Sequence, residues 1–161
     1  MARKRGKIAA LAVAAATTIG MVSTVGIPGV HAASAKCFGK TATIVGTGGA
    51  DKIQGTPGRD IIQARGGDDQ IMAGGGDDLI CASGGNDQIQ GSRGSDKIFG
   101  GAGLDAIMGG RSNDQLFGKA GADQLSGQSG NDRLMGGAGF DQGNGGTGVD
   151  LCNSVEQRIS C

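Results

Sequence analysis

The most repetitive chemical feature of the chain is an aspartate that recurs every nine residues. The twelve aspartates are Asp51, Asp60, Asp69, Asp78, Asp87, Asp96, Asp105, Asp114, Asp123, Asp132, Asp141 and Asp150. Glycine surrounds them, and because glycine permits positive φ, glycine-rich turns can direct backbone carbonyls towards a carboxylate. Such oxygen cages bind hard cations, and flexible turns favour calcium over magnesium. The spacing therefore predicts these twelve aspartates as metal ligands and calcium as the cofactor.

These aspartates belong to a nine-residue unit that repeats twelve times, without insertion, from residue 46 to residue 153. The unit reads Gly-x-x-Gly-x-Asp-x-aliphatic-x, with Ser112 replacing the second glycine once. The aliphatic residue at position eight is lost only in the last two units, at Gly143 and Cys152. A strict period indicates one structural unit stacked on its copies. We expect positions one to five to form a turn and positions six to nine a strand, with residues six and eight on one face.

A second interpretation of the same residues is that they are inert turn residues, with each aspartate accepting backbone N–H groups. Two considerations favour the metal. One aliphatic residue per unit makes a thin core, and chains with small cores need metals, disulfides or partners. Stacked turns would also place like carboxylates about 4.8 Å apart, the strand spacing, where they repel unless a divalent ion lies between them.

The unit resembles the calcium-binding nonapeptide of RTX proteins, also called hemolysin-type repeats, whose pattern is G-G-x-G-x-D-x-U-x. The resemblance covers twelve units of nine residues, 108 of the 161 residues. The whole chain resembles small secreted actinobacterial calcium-binding proteins of this class. The resemblance implies an all-β fold, a parallel β-roll (a β-solenoid) with two repeats per turn and calcium between neighbouring turns. Six turns would be roughly 29 Å long at about 4.8 Å per strand.

Residues 1–35 have the pattern of a secretory signal peptide. Basic residues within the first seven positions precede an apolar run that ends at Val30, and Ala33-Ser34-Ala35 provides a small-x-small cleavage site. Cleavage there would leave a secreted, extracellular chain that starts at Lys36 and meets the membrane only transiently. A cleavage site at Val30-His31-Ala32 is also open, and so is an uncleaved membrane anchor, because the apolar run is long enough to span a bilayer.

The remaining chain divides into three parts: an N-terminal cap at residues 36–45, the repeats at 46–153, and a C-terminal cap at 154–161. The first cap fits the register as a degenerate unit, with Ile44 at position eight and Ala42 replacing the aspartate. Val155 and Ile159 are expected to cover the last two units. The sequence leaves open whether this tail is a strand or a helical turn.

Four cysteines in a secreted chain suggest two disulfide bonds, and the residues alone permit three pairings. The cysteines are Cys37, Cys81, Cys152 and Cys161. The resemblance implies the pairs Cys37–Cys81 and Cys152–Cys161, which would clamp both ends of the stack. Ends need protection because a parallel stack exposes unpaired strand edges there.

Position nine should face outward, and in even-numbered units it carries an apolar column of Cys81, Phe99, Phe117 and Met135. Three interpretations are open. The residues are scattered exposed apolar side chains, which are normal; or they are covered by the N-terminal arm through Cys37–Cys81; or they dock a second molecule.

The residue inventory argues against several functions. His31, the single histidine, lies in the signal segment, and the chain from Lys36 onward has 11 basic and 15 acidic residues. No nucleophile–base pair can be assembled, so no enzyme is expected. No basic patch is interleaved with aromatics, so no nucleic-acid partner is expected. The prediction is a secreted calcium-binding protein whose binding energy becomes folding energy. The alternative is a calcium-dependent adhesive or accessory module that binds a wall polymer or protein through Phe99, Phe117 and Met135.

Overall fold

The computed structural model describes residues 35–161, and every regular element in this part of the chain is a β-strand. The predicted signal segment, apart from Ala35, lies outside the described residues. Four short strands come first: β1 (Lys36–Cys37), β2 (Lys40–Thr41), β3 (Ile44–Val45) and β4 (Lys52–Gln54). Ten strands of six residues follow: β5 (Ile61–Gly66), β6 (Gln70–Gly75), β7 (Leu79–Gly84), β8 (Gln88–Arg93), β9 (Lys97–Ala102), β10 (Ala106–Arg111), β11 (Gln115–Ala120), β12 (Gln124–Ser129), β13 (Arg133–Ala138) and β14 (Gln142–Thr147). The last two are β15 (Leu151–Asn153) and β16 (Gln157–Ile159).

From β3 onward the strands form two parallel sheets of seven strands each. The odd-strand sheet has the order β15-β13-β11-β9-β7-β5-β3, and the even-strand sheet has the order β16-β14-β12-β10-β8-β6-β4. Each strand pairs with the strand two elements away, so Ile62 aligns with Ile80 and Ile80 aligns with Ile98. This offset of two units confirms the predicted parallel β-roll, with two repeats per turn and about six turns.

The boundaries of the strands differ from the sequence-based expectation. Strand β6 covers positions seven to nine of one unit and positions one to three of the next. Its inward residues Ile71 and Ala73 are both buried, so the strand continues past position nine into the next unit. The turn begins at Gly76, which has a φ of 104°. The prediction that positions one to five form the turn is therefore wrong, because the turn occupies positions four to six. The prediction that positions six and eight share the inward face is confirmed, since Asp69 is buried like Ile71.

The hydrophobic core is a column of aliphatic side chains between the two sheets. Position eight supplies it: Ile53, Ile62, Ile71, Ile80, Ile89, Ile98, Ile107, Leu116, Leu125 and Leu134, followed by Cys152 and Val155. Position one adds only alanine, at Ala64, Ala73 and Ala82, or glycine. The core therefore contains one aliphatic side chain per unit, or two per turn of the roll. The aspartates at position six are buried beside it.

The C-terminal tail continues the roll as strand β16, parallel to β14. Val155 is buried, and its methyl carbons lie about 3.2 Å from where a Cβ of Gly143 would stand. Val155 thus fills the space that the missing aliphatic residue leaves. Ile159 pairs with Asn144 at an outward position and is 61% exposed, so the expectation that it also covers the core is wrong.

At the N-terminal end, β1 and β2 form an antiparallel hairpin that stands outside the roll. Only Ile44 and Val45 of the predicted degenerate unit join the stack, where β3 pairs with β5. One disulfide bond links Cys37 to Cys81 and a second links Cys152 to Cys161, the pairing that the resemblance implied. Across residues 35–161 there is no helix of the length and apolarity that a membrane crossing requires.

We predict that Ile80→Ala lowers the free energy of unfolding by about 2–5 kcal/mol, because Ile80 is fully buried in a one-residue-wide core that cannot close around a cavity. The matched control is Ile159→Ala, which removes the same atoms from an exposed position and should change stability by less than about 0.5 kcal/mol. Urea unfolding in excess calcium measures both. Equal effects of the two substitutions would contradict a core built from position eight.

Candidate metal centre

The aspartates at position six form two ladders along the roll, one from the odd-numbered units and one from the even-numbered units, because each bond spans eighteen residues. One carboxylate oxygen, Oδ1, accepts a hydrogen bond from the backbone N–H of the aspartate eighteen residues earlier, at 2.7–2.9 Å. Asp78, for example, accepts from Asp60 and donates its own N–H to Asp96. Each of these carboxylates therefore links two turns, and it accepts a backbone N–H group, which is the feature that the inert-turn interpretation expected.

The second carboxylate oxygen, Oδ2, has no hydrogen-bond partner in nine of these residues, although it is buried. The nine are Asp69, Asp78, Asp87, Asp96, Asp105, Asp114, Asp123, Asp132 and Asp141. An ionised carboxylate oxygen that is removed from water without a partner carries a large desolvation cost. Five of these atoms lie in the ladder of odd-numbered units and four in the ladder of even-numbered units, and each group indicates a place where positive charge would be strongly bound.

The pKa values of these carboxylates reflect the same desolvation cost. Burial raises the pKa of Asp96 and of Asp114 from 3.8 to about 7, against the lowering effect of the backbone N–H bond that each accepts. Neighbouring carboxylates in the stack, Asp78 and Asp114, raise the pKa of Asp96 further. Burial likewise raises the pKa of Asp69, Asp78 and Asp105 to about 6. Near neutral pH the ladder thus contains like charges that need compensation.

The surroundings of Oδ2 consist of backbone and further oxygen atoms. In front of the Cα of Gly91 lie both Asp96 Oδ2 and the carbonyl oxygen of Gly109, one turn further on. A Cβ at residue 91 would overlap both atoms unless they shifted, whereas three other units hold alanine at the same position, at Ala64, Ala73 and Ala82. Gly118 has the same arrangement with Asp123 Oδ2 and the carbonyl of Gly136. A carboxylate oxygen and a carbonyl oxygen therefore converge repeatedly along the roll.

This donor set fits calcium. All the atoms that converge are oxygens, which hard cations prefer, and the glycine-rich turns impose no tight octahedron. Within residues 35–161 no group of three or more His, Cys, Asp or Glu side chains comes together. A cation between the turns would consequently take one or two carboxylate oxygens and complete its shell with backbone carbonyls.

The two ends of the ladder differ from its middle. At the N-terminal end Oδ2 of Asp51 and of Asp60 does have partners, the N–H and hydroxyl groups of Thr47 and Thr56. At the C-terminal end, Glu156 Oε2 accepts from the N–H of Asp141 at 2.7 Å and replaces the missing next aspartate. Sequence reasoning missed both features. The Gly-Thr pair that opens the first two units was a visible signal for the first.

Side chains at position five form further hydrogen bonds between successive turns, on the outside of the roll. Asp68 Oδ1 accepts from the N–H of Asn86, and Asn86 Oδ1 accepts from the N–H of Leu104. Asp77 accepts from the N–H of Ser95 in the same way. Asp68 and Asp77 are exposed, so these side chains tie successive turns together and do not face the buried Oδ2 row.

The apolar column is partly covered by the N-terminal hairpin. Cys37, Cys81 and Phe99 are buried together, and the ring of Phe38 stacks on Phe99 with centroids 3.9 Å apart. Phe117 stacks on the far side of Phe99, and its ring is half-buried. The arm interpretation of this column therefore holds for Cys81 and Phe99, while Phe117 and Met135 extend beyond it.

Comparison with known proteins adds one match. A family model described as RTX calcium-binding nonapeptide repeat (4 copies) matches residues 45–80, 82–116 and 108–143, which together make up more than half of the chain. No curated protein matches.

We predict that the calcium-free roll is more stable in acid than at neutral pH. The folded pKa of these aspartates is raised above the unfolded value of 3.8, to about 6 for Asp69 and about 7 for Asp96, so the folded state binds more protons. The associated stability is fully present below about pH 4 and is lost as the pH rises through 6 to 7.

Circular dichroism of metal-stripped protein between pH 4 and pH 8 measures this dependence. The β signal should be higher at pH 4 than at pH 8, and a cooperative urea transition should be present at pH 4 and absent at pH 8. With calcium present the sign reverses, because protons and calcium compete for the same carboxylates. A metal-stripped protein that is as folded at pH 8 as at pH 4 would contradict the prediction.

Proposed function

Because the chain belongs to the family of RTX calcium-binding nonapeptide repeat proteins, we propose that it is a secreted, non-enzymatic protein in which calcium between stacked turns drives folding. The observation that carries the proposal is the set of nine buried, unpartnered Oδ2 atoms in the two ladders. Calcium at these atoms supplies positive charge that the chain itself provides only to a small extent, as Arg59 does near Asp78. The ligands belong to turns that are adjacent only in the roll, so binding free energy is folding free energy.

The residues that do this work are the aspartates of the ladder. Their Oδ1 atoms are held by backbone N–H groups, which aims Oδ2 at the interior of its own turn. The carbonyl at position one of the following turn, such as that of Gly109, completes the approach. Because main-chain carbonyls provide most ligands, the site requires the glycine backbone and only one acidic residue per unit.

Secretion fits this mechanism in two ways. Extracellular calcium modules typically bind with dissociation constants of about 10⁻⁴ to 10⁻³ M, which leaves such sites empty inside a cell and filled outside it. The two disulfide bonds also form in an oxidising compartment. In this proposal residues 1–35 direct export of the unfolded chain, and the roll forms outside from the chain that begins at Lys36.

We predict that chelation at pH 7.5 returns the protein to a coil even with both disulfide bonds intact. The bonds constrain the two ends, at Cys37–Cys81 and Cys152–Cys161, and leave the carboxylates between them uncompensated. Circular dichroism during a calcium titration should show the β signal appearing with a midpoint of about 10⁻⁴ to 10⁻³ M. Magnesium at the same concentrations is the ion control and should not replace calcium.

A matched pair of variants locates the effect in the ladder. Asp78→Ala removes a carboxylate with neighbours on both sides, since Asp78 accepts from Asp60 and donates to Asp96. Asp150→Ala removes the last carboxylate, which accepts only from Asp132 and is half-buried. The calcium midpoint should rise more for Asp78→Ala. An oxidised protein that retains its β signal in excess chelator would rule out calcium as the folding ligand.

A second candidate function, calcium-dependent binding of an anionic wall polymer, is favoured by the charges around the apolar column. The ammonium groups of Lys97 and Lys119 each lie 5.4–5.5 Å from the ring centroids of Phe99 and Phe117. None of the sixteen described strands contains an aspartate or glutamate, so the acidic residues of this part of the chain are confined to the turns. With the turns neutralised by calcium, this face would present the two ammonium groups and the half-buried ring of Phe117 to a polyanion.

We predict that the calcium-loaded protein binds dextran sulfate through this face. The double variant Lys97→Gln/Lys119→Gln should bind at least about tenfold more weakly and with a smaller dependence on salt, because two cations near the surface are lost. Lys52→Gln, on the even-strand sheet, is the charge-matched control for each single substitution of the pair. Affinity measured at fixed calcium decides the question, and equal losses from the control and from either lysine of the pair would exclude a specific docking face.

A further inference from the structure

The residue at position two separates the turns into two backbone classes. In the third to twelfth units it has a positive φ, between 75° and 128°. These residues are Arg65, Gly74, Ser83, Ser92, Gly101, Gly110, Lys119, Gln128, Gly137 and Gly146. In the first two units the residue is threonine, Thr47 and Thr56, and neither has a positive φ. Threonine is branched at Cβ, which makes positive φ especially unfavourable for it.

The backbone class decides what the aspartate of the same unit contacts. Thr56 donates its N–H to Asp60 Oδ2 at 2.7 Å, and its hydroxyl lies 2.9 Å from the same oxygen. Thr47 contacts Asp51 Oδ2 in the same way, at 2.6 and 3.0 Å. In the units with positive φ at position two, from that of Asp69 to that of Asp141, the buried Oδ2 has no such partner. Oδ2 of the aspartate is therefore hydrogen-bonded by protein donors in the first two units, whereas in the units from Asp69 to Asp141 it is free to bind another partner.

The threonine hydroxyl also fixes the turn around it. Thr56 Oγ1 accepts a hydrogen bond from the N–H of Gly58, and Thr47 Oγ1 accepts one from the N–H of Gly49, both at 3.2 Å. An N–H group aimed at Oδ2 occupies the lone pair that a cation would use, and it presents a partial positive charge to that cation. A turn of this class therefore opposes calcium, although it contains the aspartate of the repeat.

We propose that Thr47 and Thr56 are specificity-determining residues that exclude calcium from the first two turns, so that Asp51 and Asp60 cap the roll without metal and the calcium sites begin at Asp69. This inference rests on the proposed function and refines it, because it withdraws two of the twelve predicted ligands. It also gives the roll an end whose carboxylates are satisfied before any ion binds. That end is joined to the fourth unit by the Cys37–Cys81 bond.

The test counts calcium ions bound at saturation by equilibrium dialysis of the disulfide-bonded protein. In Thr56→Gly, glycine can adopt positive φ without strain, which should open the turn and free Asp60 Oδ2. We expect one more bound calcium than in the unsubstituted protein, and two more in Thr47→Gly/Thr56→Gly. Ser92→Gly is the matched control, because Ser92 has a φ of 90° at the same position of its unit, and its calcium count should not change.

Thr56→Val separates the backbone from the hydroxyl, since valine keeps the branched Cβ and should leave the calcium count unchanged. Circular dichroism in excess calcium establishes that each variant is folded, and Thr47→Gly alone gives an independent result if Thr56→Gly does not fold. A folded Thr56→Gly or Thr47→Gly with an unchanged count overturns the inference, and so does a Thr56→Val that gains an ion. If the unsubstituted protein binds no calcium, the proposed function itself fails, which is a separate result.

Discussion

The structure depends on how one carboxylate per unit is held. Oδ1 of each aspartate from Asp69 onward is fixed by a backbone N–H of the preceding turn, and this bond places Oδ2 inside the protein beside position one, as Asp114 Oδ2 lies beside Gly109. The hydrogen bond to Oδ1 lowers the pKa of Asp114, but burial outweighs it and the pKa is raised to about 7. The fold thus builds two ladders of buried carboxylates with little opposing charge from the chain, such as that of Arg59 near Asp78. The rest of the roll must accommodate these buried carboxylates.

The hydrophobic core is too narrow to offset such a cost by itself. It consists of one aliphatic side chain per unit, and position one contributes at most an alanine. In a wider protein core, buried apolar area would dominate the folding free energy. Here the same volume is shared with aspartates that are as deeply buried as the isoleucines beside them. In the proposed function, calcium at these carboxylates therefore supplies folding free energy that the narrow core does not.

At the two ends of the roll, side chains from outside the repeat replace the groups that a neighbouring unit supplies elsewhere. Thr43 donates its hydroxyl to Asp60 Oδ1 at 3.3 Å, where an earlier aspartate N–H would stand in an internal turn. Glu156 accepts the N–H of Asp141, and Val155 supplies the apolar side chain that Gly143 lacks. A periodic structure needs such substitutions where its period stops, because terminal repeats have only one neighbour. The two disulfide bonds lie near the same ends.

Much of the fold follows from the sequence because the period is strict. The inward aspartate and the aliphatic column depend on spacing, which is visible in twelve copies, whereas the parallel roll with two repeats per turn was implied by the family resemblance. The strand boundaries were not predictable in the same way, because Ala73 and the other small residues at position one continue the strand by packing between sheets. The β1–β2 hairpin also escaped prediction, since it has no repeat to reveal it. Thr47 and Thr56 act through backbone conformation, which a pattern of side-chain types does not display.

The most direct test of the central claim is a crystal structure of the calcium-loaded protein with anomalous scattering recorded. The account predicts anomalous peaks beside the Oδ2 atoms of the ladder, within about 2.3–2.6 Å of those oxygens and of the adjacent position-one carbonyls. The internal aspartates, such as Asp96 and Asp105, should each have one. Density at these oxygens with no anomalous signal, as water molecules would give, would contradict the claim that the buried carboxylates are calcium ligands.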